Sequence, residues 1–478
     1  MARYEESERE TLRLIAGSLD DLLAVDSVAR SILAGISRLD FSAFDELYGN
    51  DAVGRPAIDP RSLASVWTLA LLRGVTSSVR LASLCERDLE FRWLLGDVRV
   101  EKSTLCDFRK HHQAALVSLS AQVLQALGQH QLLPGKNMGV DGTIVQAAAS
   151  RHASKSRRSL EKDRQRLQAL LEQRLSQGDA DAESGELRAL NQRRVRTEQA
   201  LAELDKRNKM DCEAKLTVTE PDAGVKKLKN HSFAPAYNVQ AVTDLDTGVI
   251  VSVSVVDSGN DCGQLQPQVE QAQAALDALG QGEGRLESIT ADSAYHDTRQ
   301  LHELEGRNLR CYVADDGNKN RQAPNVAPQY QAECFAYEES TDSLKCPMGK
   351  ELKRRKPNKN QTAMTYQAPT QTCQNCPAKS QCCPNATAGR CVNRTLPVYQ
   401  ETLDRVEQRL HTEEGKRKLH ARWVTCEGVY ARFNDLLHWK RCRMWNRVGA
   451  EMEVLWRQFI HNFMLLIEAW KPLVHANA

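Results

Sequence analysis

The chain has 478 residues and is nearly neutral, with a formal net charge of +2, 41% hydrophobic and 26% charged residues. That length exceeds one ordinary core and predicts several domains, while the balance is that of a globular protein and excludes polyanion binding through overall charge alone. No apolar run approaches the roughly 18 residues of a membrane span, and residues 1–10 lack the apolar core of a signal peptide, so no membrane partner is expected and the expected location is the cytoplasm.

From about 30 to 125 the pattern is helical. Apolar residues share a face over 61–73 after the Asp59-Pro60 start signal. Ser77 or Ser78 is placed to cap a helix running through Cys85, and Ser103 to cap another that carries Phe108 and Arg109. Short helices with tight turns suit a helix-turn-helix module or, equally, a plain bundle for dimerisation. Residues 1–130 are accordingly assigned as a helical domain for binding DNA or pairing subunits.

The Pro134-Gly135 turn leads into Asn137-Met138-Gly139-Val140-Asp141-Gly142-Thr143-Ile144-Val145, a buried strand with a single carboxylate, within a first core segment 131–150. The segment 151–212 opens on Lys155-Ser156-Arg157-Arg158. Leu160, Leu167, Leu170, Leu171 and Leu175 recur at helical spacing, 178–185 breaks the run, and Leu187, Leu190, Leu201 and Leu204 resume it. This pattern predicts an inserted hairpin of two antiparallel helices, serving as a partner surface, an arm over DNA or an inert spacer.

Over 213–330, strand signals at 215–219, 236–243 and 249–256, the last two joined by an Asp246-Thr247-Gly248 turn, precede a helix at 264–279. A strand at 286–291 ends at Asp292, followed by a helix at 298–306 and a strand at 310–313. Strands and helices in this order predict a mixed sheet flanked by helices, an α/β (α+β) multidomain protein. The order resembles the ribonuclease H type of fold, with Asp141 on its first strand and Asp292 just beyond its fourth.

Of the 14 cysteines, most of the scattered ones read as small packed groups. The cluster in 331–396 is different. A Cys-x-x-Cys pair with further thiols nearby predicts a zinc-ribbon-like insertion, with Cys346, Cys373, Cys376 and Cys382 as the ligand set for a structural zinc and Cys334, Cys383 and Cys391 as alternates. The same segment holds the basic run 350–359, a phosphate surface or a solvated loop.

Residues 397–478 read as helical. A stretch over 422–437 carries Glu427, and 451–470 is amphipathic with Met452, Leu455, Phe459, Phe463 and Leu466 as its stripe, Asn462 being either structural or a contact to the site. Asp141, Asp292 and Glu427, on strand, strand and helix, suit hard oxygen ligands converging on magnesium ions.

Taken together, these residues resemble the DDE transposases of bacterial insertion sequences. Gly54-Arg55-Pro56-Ala57-Ile58-Asp59-Pro60, Ser77-Ser78, Phe91-Arg92-Trp93-Leu94 and the stretch from Thr104 to Arg109 look like that group's N-terminal helical domain. Val140-Asp141-Gly142-Thr143, Ala236-Tyr237-Asn238-Val239-Gln240 and Ala291-Asp292-Ser293-Ala294-Tyr295 look like its core signatures, and Cys426-Glu427-Gly428-Val429-Tyr430-Ala431-Arg432 like the motif of its last acid. His420 and Asn434 stand where relatives carry Tyr and Lys, and Glu101-Lys102-Ser103-Thr104 replaces a more usual Pro-Asp start.

The resemblance implies an enzyme that cleaves the ends of its element and joins the 3′-hydroxyls to target DNA. It implies two Mg2+ (or Mn2+) ions, Asp141 bridging both, Asp292 on one and Glu427 on the other. Arg109, Lys155, Arg157, Arg422, Arg432 and Lys440 are the expected DNA contacts. The partners would be double-stranded DNA, as terminal inverted repeats and target, and a second copy in a synaptic dimer at the bacterial nucleoid. Rival readings are a transposase-derived regulator that no longer cuts, a ribonuclease H-fold nuclease that does not join, and a non-enzymatic scaffold.

Overall fold

The computed structural model describes residues 17–46, 56–176, 185–207, 214–228, 230–280, 286–315, 325–437 and 439–475. Gly54, Arg55, Cys212 and the hairpin break at 178–184 lie outside the described residues. The chain forms two compact units, one of 1–123, 433–439 and 455–478, the other of 124–432 and 440–454. Among the described residues no helix is long and apolar enough to cross a membrane.

The first unit is helical. Asp59 caps Pro60–Leu72 by accepting from the Arg61 amide, Pro60 occupying the first turn where its missing N–H is harmless. Ser77 caps Ser78–Arg87 in the same way, accepting from Arg80. The next helix, Lys102–His111, starts one residue before the expected Ser103; its cap position is Glu101, which makes no side-chain capping bond. Trp67 donates to the Leu105 carbonyl at 3.0 Å, and Phe44 stacks on Phe108 at 5.5 Å. The last helix, Asn446–His475, begins earlier than its amphipathic stripe suggested. Residues 456–463 are buried all round, whereas Leu455, expected in the stripe, is half-buried. Gly35 is required where it stands, because a Cβ there would lie 2.7 Å from the Phe463 ring.

The second unit is built on a six-stranded mixed sheet. Its strands are β1 (Asn137–Gln146), β4 (Gly224–Lys227), β5 (Phe233–Asp244), β6 (Ile250–Val256), β7 (Ser288–Ala291) and β8 (Arg310–Val313), while β2 (Ser154–Ser156) and β3 (Lys215–Thr217) pair separately at the base of the helical hairpin. The long strand β5 pairs antiparallel with β1 along one edge and with β4 and then β6 along the other; β1, β7 and β8 run parallel. Sequence patterning missed β4, whose Lys226 side chain is buried and donates to the carbonyls of Asp257 and Ser258. Gly248, at φ +78°, closes the β5–β6 hairpin.

The helices Arg157–Ser176 and Gly185–Lys206 pack together through Leu160, Ala200, Leu201 and Leu204 against Leu216 of β3. The cysteine-rich segment is a sheet of its own. Strands β9 (Ala336–Glu338), β10 (Ser343–Lys345), β11 (Glu351–Pro357), β12 (Ala363–Gln367) and β13 (Cys391–Thr395) form a five-stranded antiparallel meander. It encloses Phe335, Leu344, Leu352, Met364, Tyr366 and Val392.

Candidate active site

Asp141 sits in the middle of β1, and Asp292 immediately follows the parallel neighbour β7. Strand alternation sends Asp141 to one face and Gly142 to the other. On the first face packs the helix Glu413–Ala431. Cys426 from that helix occupies the space over Gly139, where a Cβ would lie 2.6 Å from its sulfur, and the Tyr430 hydroxyl bonds to the Asp141 carbonyl at 2.8 Å. Arg422, one turn earlier, brings its guanidinium to 3.7 Å from the Asp141 carboxylate.

Burial pushes the Asp141 carboxyl up to about 6, against the opposing pull of Arg422 and of the Gly142 amide, with Asp292 and Asp261 adding repulsion. Asp292 is also raised, chiefly by burial, and Arg422 again opposes. Asp292 accepts from the Ala294 amide at 2.9 Å, capping the short turn Ser293–Tyr295. Two carboxylates that repel each other while sharing one arginine are electrostatic neighbours.

On the other face, the register sets Gln240 opposite Gly142. Asp261, in the loop after β6, accepts from Gln240 Nε2 at 2.7 Å and from Asn238 Nδ2 at 3.1 Å. The Tyr295 hydroxyl in turn donates to Gln240 Oε1. A side chain on residue 142 would collide with this network, 2.7 Å from Asp261 and 3.0 Å from Tyr295. Residue patterning missed Asp261. The signal was present in Asn238 and Gln240, buried polar residues on a strand that need acceptors.

Glu427 is exposed on the same helix. It follows Cys426, which faces the sheet, and one residue turns a helix by about 100°, so its side chain lies off the two aspartates. Among the described residues no group of three or more His, Cys, Asp or Glu side chains is arranged to hold a metal ion. The expected convergence of all three acids, and of four cysteines, is therefore not displayed. Cys346, Cys373, Cys376, Cys382 and Cys383 do line one small void of about 30 Å³, whereas Cys334 and Cys391 do not. Two of the thiols accept main-chain N–H bonds at 3.3 Å, Cys346 from Lys350 and Cys373 from Arg390.

The expected DNA contacts divide. Arg109 is buried, stacked 4.5 Å over Trp67 and donating to the Thr76 carbonyl. Arg157 is buried and paired with Asp205 at 2.6 Å. Both guanidinium groups are turned inward onto local partners, so neither is exposed for a DNA contact. Lys155 is half-buried and pairs with Asp163. Arg432 and Lys440 are exposed. Lys440 precedes Arg441, which donates to the Ala147 carbonyl at the end of β1. A cleft of about 1160 Å³ lies between β8, the cysteine-rich sheet and the helix Pro397–His411, and none of the three acids lines it.

Two family comparisons match. The family described as Transposase domain (DUF772) matches residues 18–111, and the family described as Transposase DDE domain matches residues 345–467. The second match contains Arg422 and Glu427; Asp141 and Asp292 lie between the two. No curated protein and no solved structure matches the chain. With a transposase domain at 18–111 and a transposase DDE domain at 345–467, in that order, the two matches support a DDE transposase of an insertion element.

Proposed function

We propose that this transposase cuts at the ends of its element and joins the freed 3′-hydroxyls to target DNA, using Asp141, Asp292 and Glu427. The observation that carries the reading is the pairing of Asp141 and Asp292, from adjacent parallel strands, beside an arginine of the helix that also bears Glu427. The sheet order β6-β5-β1-β7-β8, with β1, β5 and β6 antiparallel and β7 and β8 parallel to β1, supports a ribonuclease H-like core.

Three carboxylates form a hard oxygen donor set that fits magnesium or manganese, and the buried, mutually repelling pair Asp141–Asp292 gains from a neighbouring cation. When bound, two such ions would supply activation of the attacking oxygen and neutralisation of the leaving one. Asp141 and Asp292 hold the fixed side of the site; Glu427 must turn from the exposed side of its helix toward them. Arg422 offers a positive charge to the phosphodiester next to the acids. Water adds to phosphorus as the 3′-oxygen departs, and that hydroxyl then adds to a target phosphodiester, whose own 3′-oxygen departs. Arg422 beside the acids, with the exposed Arg432 and Lys440, would hold the DNA.

The thiols of Cys346, Cys373, Cys376 and Cys382 suit zinc, which would fasten the cysteine-rich sheet rather than act in chemistry. Two copies acting on two ends, on DNA in a bacterial cytoplasm, complete the reading.

The test is a Mg2+-dependent reaction of the full chain on a duplex carrying the inverted repeats that flank its coding sequence. Cleavage with strand-transfer products, abolished by Asp141→Asn, Asp292→Asn or Glu427→Gln with end binding retained, is expected. Cleavage without joining would assign a nuclease, and end binding without cleavage a regulator.

A further inference from the structure

Between Ser343 and Thr395 the sequence holds ten Lys and Arg but one acid, Glu351. The cysteine-rich sheet is thus far more basic than the whole chain at +2, and the remainder is net acidic. Leu352 of β11 is buried in the sheet's own core, while residues 353–356 beyond it are exposed. Arg354 is held by Asp342 at 2.7 Å, and Arg394 stacks 3.8 Å over Tyr337. Lys350, Lys353, Arg355 and Lys356 are exposed and make no ion pair among the described residues.

Lys353 and Arg355 lie on one face, two residues and so about 7 Å apart along the strand. Gln367, the cross-strand neighbour of Lys353, is half-buried, and Thr365 and Asn393 on the adjoining strands add neutral donors. Cations interleaved with neutral donors and without apolar side chains match a phosphate backbone rather than a bilayer, which also demands buried apolar area.

We infer that the exposed basic run of Lys350 with Lys353, Arg355 and Lys356 of β11 is a sequence-independent docking surface for the phosphates of duplex DNA. The inference rests on the transposase reading for the identity of the polyanion. With the rest of the chain net acidic, a duplex is steered to this sheet before any base is read.

The test uses the full-length protein in EDTA with a random-sequence 30-base-pair duplex, measuring affinity as a function of salt. The variant combines Lys350→Gln, Lys353→Gln, Arg355→Gln and Lys356→Gln; a second carries Lys350→Arg, Lys353→Arg and Lys356→Arg. Each phosphate contact contributes a slope of about 0.9, so the glutamine variant is expected to lower the slope by about 3 and weaken binding at least tenfold, while the arginine variant binds as wild type. Unchanged circular dichroism guards against misfolding. An unchanged slope in the folded glutamine variant overturns the inference, as does equal dependence of binding to 30% phosphatidylserine vesicles on these four residues with no competition by duplex. Wild-type strand transfer is scored separately: transfer with an unchanged slope removes this surface alone, and a lowered slope without transfer removes the transposition chemistry alone.

Discussion

The Tyr430 hydroxyl donates to the main-chain carbonyl of Asp141 at 2.8 Å, 289 residues away in sequence, and lies 3.2 Å from the Val239 carbonyl. One buried phenol thus ties the helix of the last acid to both strands beneath the first. Tyr430→Phe removes a buried hydrogen bond and should cost about 1–2 kcal/mol of stability. Because it loosens the helix from β1, cleavage should fall about tenfold with end binding retained. Thermal melting and a single-turnover cleavage assay check both; full cleavage with an unchanged melting point would show that the bond positions nothing.

Burial that lifts the Asp141 carboxyl to about 6 has a consequence for stability. A raised carboxyl contributes stability that is complete below its ordinary value and lost as pH rises through about 6. Asp141→Asn cannot ionise and escapes that loss. In EDTA the variant should match wild type near pH 4 and exceed it at pH 8, by up to about 3 kcal/mol. Melting curves across pH decide; a pH-independent difference would mean that Asp141 is not strained by ionisation in the fold.

Asp261 braces the opposite face of β1 through Asn238 and Gln240. Asp261→Ala leaves the Asn238 and Gln240 amides short of an acceptor and frees Tyr295, three residues beyond Asp292. Cleavage is expected to drop at least tenfold. Asp261→Asn, which keeps an acceptor oxygen, should recover most of it. Equal loss in both variants would point to the charge itself rather than to bracing.

Cys373→Ser combined with Cys376→Ser removes two of the thiols that line the small void in the cysteine-rich sheet. Purified protein should lose its zinc, read by elemental analysis, and become less soluble, while the carboxylate site keeps its response to magnesium. Unchanged zinc content would reject this ligand set.

Much of the core was legible. Alternation and turn chemistry located β5, β6 and the hairpin between them, and the helix Thr298–Gly306 and strand β8 fall where expected. Asp141 and Asp292 stood out because a carboxylate on or just past an apolar strand is conspicuous. Asp261 was not, since a loop Asp in Ser258-Gly259-Asn260-Asp261 looks like turn chemistry until the register sets Gln240 beside it. Arg109 and Arg157 misled because sequence position does not reveal whether a guanidinium finds an inward partner. The cysteine-rich sheet was hidden in β11, whose Glu-Leu-Lys-Arg-Arg-Lys-Pro has one core-facing apolar residue and is held by hydrogen bonds from both neighbours.

In the cysteine-rich sheet the strands lie side by side in the order in which they are made, β9 to β13. Every pairing is between strands consecutive in sequence, which keeps contact order within the sheet low, although β13 joins only after the connection 368–390 has closed. Once formed, it gathers much of the chain between Asp292 and Glu427 into a compact sheet entered at one edge strand, β9, and left at the other, β13. Less free chain then remains to be ordered when the helix Glu413–Ala431 docks on β1.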